Sequence, residues 1–272
     1  MTERRLLFGS VAEQYDNHRP SYPQQLVEEV LAYVGKPAAE IDVLEVGAGT
    51  GIATRQFAPW VRHLTAVEPD AEMAAVAAAN PAAPSNVTQV AGDFESAQLE
   101  PGSFDLLISG TAWHWVEPTR RNQLAADALR PGGVLAPFWA GPEWSRSQLR
   151  PQLDEAYDRV LGWEREKQQG VMFPRKPEAA GGGVQQNFAD EWEQLLADEP
   201  RLTTPDVCFY HWTQDYSAEQ YVALLGTHSD HLMLEPDARE RLLAAVTDVI
   251  NGPGAGVLEM PYRAILCLGR RR

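Results

Sequence analysis

The stretch Asp42-Val43-Leu44-Glu45-Val46-Gly47-Ala48-Gly49-Thr50-Gly51 constrains the fold of this chain more than any other. A mostly apolar run carries an acid near its end, and glycine then falls at every second position. Alternate glycines let a backbone bend sharply, take up positive φ and approach a ligand with no Cβ in the way. A strand, such a turn and then a helix make the nucleotide-facing corner of an open α/β sheet. A dinucleotide fingerprint would place its third glycine at position 52, where this chain has Ile52. The spacing 47, 49, 51 therefore shifts the reading from a bound pyrophosphate towards a bound amino acid and nucleoside.

Apolar and polar residues alternate in blocks on either side of this corner. Strands are expected at Ile41–Val46, His63–Val67, Asn86–Val90, Phe104–Ile108 and Val134–Trp139. Helices are expected at 23–34, Ile52–Phe57, Asp70–Asn80 and Pro118–Leu129. Alternation of this kind implies a doubly wound parallel sheet with helices on both faces. Ligands bind such sheets beyond the carboxyl ends of the strands, where Glu45, Glu68, Asp93 and Ser109 fall. After strand five the rhythm breaks, and residues 141–200 read as a helical cap insertion. Within it, helices at Gln148–Arg165 and Asn187–Ala197 flank the proline- and glycine-rich stretch Phe173–Gly183. A strand at Thr204–Trp212, helices at Ala218–Leu225 and Asp237–Ile250, and a strand at Pro261–Leu268 complete the chain. The expectation is a single domain over 1–272, with residues 1–35 as an N-terminal helical lid.

Composition narrows the function classes. The 272 residues carry a formal charge of −15, which argues against non-specific binding to nucleic acid or an anionic membrane. An acidic small substrate met by a local arginine is still compatible with that charge. No apolar run reaches membrane-spanning length, and Leu6-Leu7-Phe8 is too short for a secretory signal. Cys208 and Cys267 each sit in a strand-like run and read as free thiols of a reducing compartment. A cytoplasmic enzyme with a small-molecule partner is the expectation. His228 and His231, spaced i, i+3 with Asp230 between, read as surface or pocket histidines, and no metal site is expected.

The ordered set Glu45-Val46-Gly47-Ala48-Gly49-Thr50-Gly51, Val67-Glu68-Pro69, Gly92-Asp93-Phe94, Phe104-Asp105-Leu106, His114-Trp115 and Leu129-Arg130-Pro131-Gly132-Gly133 resembles the class I S-adenosylmethionine-dependent methyltransferases. It looks most like the type 11 group that includes trans-aconitate methyltransferase-like proteins. The pattern Phe8…Tyr15-Asp16…Arg19-Pro20-Ser21-Tyr22 is similar to that narrower branch. The resemblance implies a Rossmann-like, seven-stranded, mainly parallel sheet whose last strand is antiparallel. It implies S-adenosylmethionine as cofactor, leaving as S-adenosylhomocysteine.

On that reading Gly47, Ala48, Gly49 and Gly51 hold the methionine part, and Glu45 accepts from its ammonium. Glu68, with Pro69 behind it, lies about 20 residues past the turn, the spacing at which an acid reaches ribose hydroxyls. Asp93 and Phe94 fit the adenine, Ser109 ends strand four, Met73 is a secondary contact, and Arg19 pairs with the cofactor carboxylate. Tyr15, Trp113, Trp115 and Trp139 are candidates for the acceptor pocket, since aromatic faces stabilise a sulfonium. Trp113, Trp115, Trp139, Trp144 and Trp163 cluster in sequence between strand four and the cap. His114 follows strand four, where an acceptor belongs. It serves either as a base for a hydroxyl acceptor or only to orient the substrate. The expected reaction is methylation of a small organic molecule, at the oxygen of a carboxylate or hydroxyl. The competing readings are a nicotinamide-dependent oxidoreductase and a non-catalytic S-adenosylmethionine-binding protein.

Overall fold

The structure is a computed structural model and describes residues 12–162 and 199–272. The expected helix Asn187–Ala197, the stretch Phe173–Gly183 and Trp163 lie outside the described residues. Seven strands form one sheet in the order β3-β2-β1-β4-β5-β7-β6. They are β1 Asp42–Val46, β2 His63–Glu68, β3 Val87–Ala91, β4 Phe104–Gly110, β5 Leu129–Pro142, β6 Asp206–Tyr216 and β7 Leu258–Arg270. Around them the described helices are α1 Ala12–His18, α2 Gln24–Val34, α3 Ile52–Phe57, α4 Ala71–Ala79, α5 Arg121–Ala128, α6 Arg150–Leu161, α7 Ala218–Leu225, α8 Ser229–Leu232 and α9 Pro236–Asn251.

The strands β1/β2, β1/β4, β2/β3 and β4/β5 pair in parallel. The last strand runs the other way. The Gly132 amide, early in β5, donates to the Arg271 carbonyl, and the Glu143 amide, just past β5, donates to that of Pro261. This is the Rossmann-like sheet that the motif order implied. The antiparallel pairing also explains a difference at the strand ends. Pro131-Gly132-Gly133 reads as a helix stop in sequence, yet it is extended in β5 because Gly132 and Gly133 exchange hydrogen bonds with Arg271.

The described residues cluster into two compact units. One holds residues 21–140, 199–210 and 264–272; the other holds 12–20, 141–162 and 211–263. In the first unit, Val43, Leu44, Glu45 and Val46 of β1 are all buried, as a central parallel strand covered on both faces requires. Leu26, Val27, Val30 and Val34 make the buried stripe of α2, and Gly35 ends that helix in the left-handed region. The second unit has its own core. Leu153 and Tyr157 of α6, Leu224 of α7, Val246 and Ile250 of α9 and Met260 of β7 belong to one buried cluster. Ser217 and Gln220 close a capping box at the start of α7. Both cysteines are free, and Cys267 is buried. Among the described residues no helix is long and apolar enough to cross a membrane.

At the amino ends of β1 and β4 a charge network locks the two central strands in register. Asp105 is buried and accepts from Lys36 Nζ at 2.8 Å, from the Asp42 amide at 3.0 Å and from Arg130. Arg130 also reaches Asp42 at 3.0 Å, and Arg62 pairs with Asp42. Burial alone would raise the Asp105 pKa. The Asp42 amide, Lys36 and Arg130 outweigh burial and hold it below the ordinary carboxylate value. A depressed carboxyl contributes stability that is present above the unfolded pKa of about 4 and is lost as pH falls through the lower folded value. Asp105→Asn should therefore cost about 1–2 kcal/mol of unfolding free energy at pH 7, by taking away the partner of Lys36 and one of the two partners of Arg130. Urea denaturation should show that gap closing as pH is taken below about 4. Equal stability of the two proteins at pH 7 would remove the network from the account.

Candidate functional site

The site is built in the first unit on the turn between β1 and α3. Gly47, Gly49 and Gly51 have φ of +70°, +58° and +84°, a region L side chains rarely adopt. A Cβ on Gly47 would also lie 2.4 Å from the Ala112 Cβ, so the turn and the segment after β4 approach at backbone distance. The amides of Gly47 and Ala48 donate to the Val67 carbonyl at 2.9 and 3.2 Å. The Gly49 amide donates to Glu68 Oε2 at 2.7 Å, while Glu68 Oε1 accepts from the Asp70 amide at 2.9 Å. Glu68 thus braces the turn from the end of β2. Asp70 in turn caps α4 by accepting from the amides of Glu72 and Met73. The Met73 methyl lies 3.4 Å from where a Gly49 Cβ would sit.

Glu45 is 1% exposed, and Thr54 Oγ1 on α3 donates to it at 2.6 Å. Burial above all, aided by the charge of Glu68, pushes its pKa up to about 8 despite the Thr54 bond. The acid is therefore largely protonated at neutral pH, and a cation placed beside it would favour its charged form. Thr50 Oγ1, in the same turn, is buried without a hydrogen-bond partner among the described residues. A cavity of about 420 Å³ opens beside the turn, lined in part by Ala48, Gly49, Thr54, Arg55, Glu68 and Ala74.

The other expected residues of this unit fall around the same strand ends. The Gly92 amide donates to the Glu68 carbonyl at 3.0 Å and brings the Asp93 loop beside β2. Pro69 is half-buried between Glu68 and Asp70. Phe94 is buried, with its ring 6.3 Å from that of Trp113. Ser109 is fully buried, and its hydroxyl donates to the Val46 carbonyl at 2.8 Å, tying β4 to β1. Trp113, His114 and Trp115 form one 3-10 turn. Trp113 is core, with an indole Nε1 that has no partner among the described residues. His114 is exposed and lies 4.6 Å from the Trp115 ring. Protein packed around the imidazole, and then the Arg121 guanidinium, lower its pKa below the usual histidine value. Trp139 is half-buried near the end of β5.

Arg19 and Tyr15 belong to the other unit. The guanidinium stacks 4.6 Å over the Tyr15 ring and donates to the Thr227 hydroxyl and carbonyl at 3.2 and 3.3 Å. The same unit holds His228, Asp230 and His231, all buried. His231 Nδ1 bonds Asp230 at 2.9 Å, and Nε2 bonds the Tyr157 hydroxyl at 2.7 Å. The donor atoms of His228, Asp230 and His231 lie within 4.8 Å of one another. Both nitrogens of His231 are engaged by protein partners, which fits an oriented hydrogen-bonded chain better than a metal site.

Sequence reasoning passed over Thr54, Gln56 and Thr111, and took Tyr22 only as part of the N-terminal segment. Thr111 has φ of +58°, an outlier for a β-branched residue that costs of order 1–3 kcal/mol. Its hydroxyl lies 3.0 Å from that of Tyr22. No glycine marks the position, so no sequence signal announced it.

Residues 44–136 match the family model described as methyltransferase domain. An uncharacterized methyltransferase of Mycobacterium tuberculosis is 36% identical over 161 residues, covering 59% of this chain and 57% of that protein. The malonyl-[acyl-carrier protein] O-methyltransferase of Pectobacterium atrosepticum is 31% identical over 160 residues, covering 58% and 59%. The chain thus spans a little over half the length of these relatives. The structure of a candidate type II methyltransferase from Anaeromyxobacter dehalogenans superposes with a TM-score of 0.58 at 20% identity, covering 93% of this chain and 97% of that one. That likeness establishes the fold.

The raised pKa of Glu45 has a measurable sign. A carboxyl raised from about 4.3 in the unfolded chain to about 8 in the fold destabilises the protein progressively as pH rises between those values. Glu45→Gln keeps an acceptor for Thr54 and removes the titration. Its stability relative to wild type should rise by about 3–4 kcal/mol between pH 5 and pH 8 in parallel urea titrations. A constant difference across that range would show that Glu45 does not titrate there.

Proposed function

We propose that this chain is an S-adenosylmethionine-dependent methyltransferase that acts on a small organic molecule and transfers the methyl to oxygen. The observation that carries the reading is the left-handed glycine turn held by Glu68 beside the buried acid Glu45. The match of residues 44–136 to the methyltransferase domain supports it independently. The Pectobacterium relative, named an O-methyltransferase, supports oxygen as the acceptor atom.

The residues fit the cofactor. The bare backbone at Gly47 and Gly49 and the unpartnered Thr50 hydroxyl suit the methionine part, and Glu45 suits its ammonium. Glu68, a carboxylate at the end of β2, suits the ribose diol. Asp93 and Phe94 suit the adenine. When bound, S-adenosylmethionine supplies a methyl on a positively charged sulfur, open to in-line attack. Alignment alone can lower the barrier for such a displacement by up to ~7–11 kcal/mol at ideal geometry. The turn fixes one partner. Trp115 and Trp139 wall the acceptor, Trp113 packs behind them in the core, and Ser109 holds β4 against β1. His114, with its lowered pKa, is neutral at pH 7 and can take a proton from a hydroxyl acceptor. The charge of −15 makes nucleic acid a poor acceptor.

Calorimetry should show S-adenosylhomocysteine binding to the purified protein and no binding of NAD. The reverse pattern would replace this reading with the oxidoreductase one. With radiolabelled S-adenosylmethionine and a panel of small hydroxyl and carboxylate acceptors, His114→Ala should cut turnover on hydroxyl acceptors about 100-fold. The wild-type rate should fall on the acid side, at a pH lower than an ordinary histidine would give, as His114 takes up a proton. Unchanged turnover and acceptor affinity in the variant would remove His114 from the acceptor pocket.

A further inference from the structure

We propose that Tyr22 and Thr111 are positioning residues of the transfer site: Tyr22 clamps the helix launched by the glycine turn to the end of β4, and Thr111 sets the segment that faces Gly47. The proposal rests on the methyltransferase reading and adds to it a role for Tyr22, which the sequence places only in an N-terminal pattern, and for Thr111, which lies outside its motifs.

Tyr22 reaches both sides of the site at once. Its amide and the Gln56 side-chain oxygen form a bond of 3.0 Å, and Gln56 Nε2 donates back to the Tyr22 carbonyl at 2.7 Å. Gln56 lies on α3, the helix that starts at Gly51. The Tyr22 ring packs edge-on against Phe138 of β5, with centroids 4.6 Å apart. It fills the space above Gly110 so closely that a Cβ there would lie 2.8 Å from the Tyr22 hydroxyl. That hydroxyl meets Thr111 Oγ1 at 3.0 Å. Backbone bonds hold Thr111 from the other side. Its amide donates to the Phe138 carbonyl at 2.7 Å, and the Ala140 amide reaches Oγ1 at 3.4 Å.

A threonine keeps a left-handed conformation only where its surroundings over-determine it, and such strain collects at functional sites. Here the consequence is geometric. Thr111 turns the chain out of β4 so that Ala112 meets Gly47 at a distance no side chain could share. Trp113, His114 and Trp115 follow directly. A relaxed Thr111 would swing Ala112 away from the turn and loosen one wall of the cofactor site. The hydroxyl pair from Tyr22 to Thr111 is the link that ties this wall to α3.

The test separates a positioning role from a stabilising one. Tyr22→Phe removes the hydroxyl and keeps the ring and both backbone bonds to Gln56. Thr111→Gly removes the hydroxyl together with the strain. Affinity for S-adenosylhomocysteine is read by calorimetry and stability by thermal unfolding, on the full chain. Both variants should bind about tenfold more weakly. Tyr22→Phe should melt within a few degrees of wild type, and Thr111→Gly should melt as high or higher, because strain is relieved as function is lost. Thr111→Ser keeps the hydroxyl and should bind within about threefold of wild type. Unchanged affinity in both variants overturns the proposal, as does a loss of affinity that tracks a loss of melting temperature. Wild-type protein that fails to bind S-adenosylhomocysteine overturns the methyltransferase reading and this inference with it, an outcome visible before any variant is made.

Discussion

The hydrogen bond from the Gly49 amide to Glu68, 2.7 Å long, is the interaction on which the site depends. Three residues of the turn sit at positive φ, a conformation that nothing local enforces in glycine. A charged acceptor at the end of the neighbouring strand enforces it. The two oxygens of Glu68 bridge the turn after β1 and the start of α4, and the Glu68 carbonyl takes the Gly92 amide from the loop after β3. One residue thus fastens the carboxyl ends of three adjacent parallel strands, β1, β2 and β3. Bonds to an ionised acceptor are about twice as strong as neutral ones, which suits a joint that ligand binding must not loosen.

Glu45 and Glu68 show how one sheet edge gives two carboxylates different surroundings. Glu68 is half-buried and has amide donors on both oxygens. Glu45 is buried, has one hydroxyl donor among its hydrogen bonds and lies near the charge of Glu68, so its neutral form is favoured up to about pH 8. The first acid braces the turn. On the methyltransferase reading the second is completed by the cofactor's ammonium, whose binding should be coupled to release of the Glu45 proton.

Much of this edge was legible in the sequence. Alternate glycines after an acid announced positive φ, and the order of strand-end motifs announced a parallel sheet with Glu45, Glu68 and Asp93 at its carboxyl edge. What was not legible depended on partners distant in sequence. The spacing of Glu68 suggested a ribose acid, but its role as a brace depends on the amide of Gly49, and a backbone amide has no sequence signature. Ser109 read as a polar strand end facing a ligand, whereas its hydroxyl is buried on the Val46 carbonyl. The extension of β5 through Pro131-Gly132-Gly133 needed the far end of the chain to supply Arg271. The α8 helix, only 4 residues long, is too short for any period to show, so the burial of His228 and His231 went unannounced.

Thr111 is the clearest case of a local rule broken with compensation elsewhere. Glycine would relieve the backbone there, and the chain uses glycine freely a few residues away at 110 and at 47, 49 and 51. A threonine at the one left-handed position that also needs a hydroxyl is the residue a turn would not choose and a joint would. Its bond to Tyr22 is the reason to accept the strain, and Tyr22 is itself held by two bonds from the helix that the glycine turn launches. Positive φ at the turn and positive φ after β4 therefore belong to one construction, in which two bent segments are forced to backbone distance at Gly47 and Ala112.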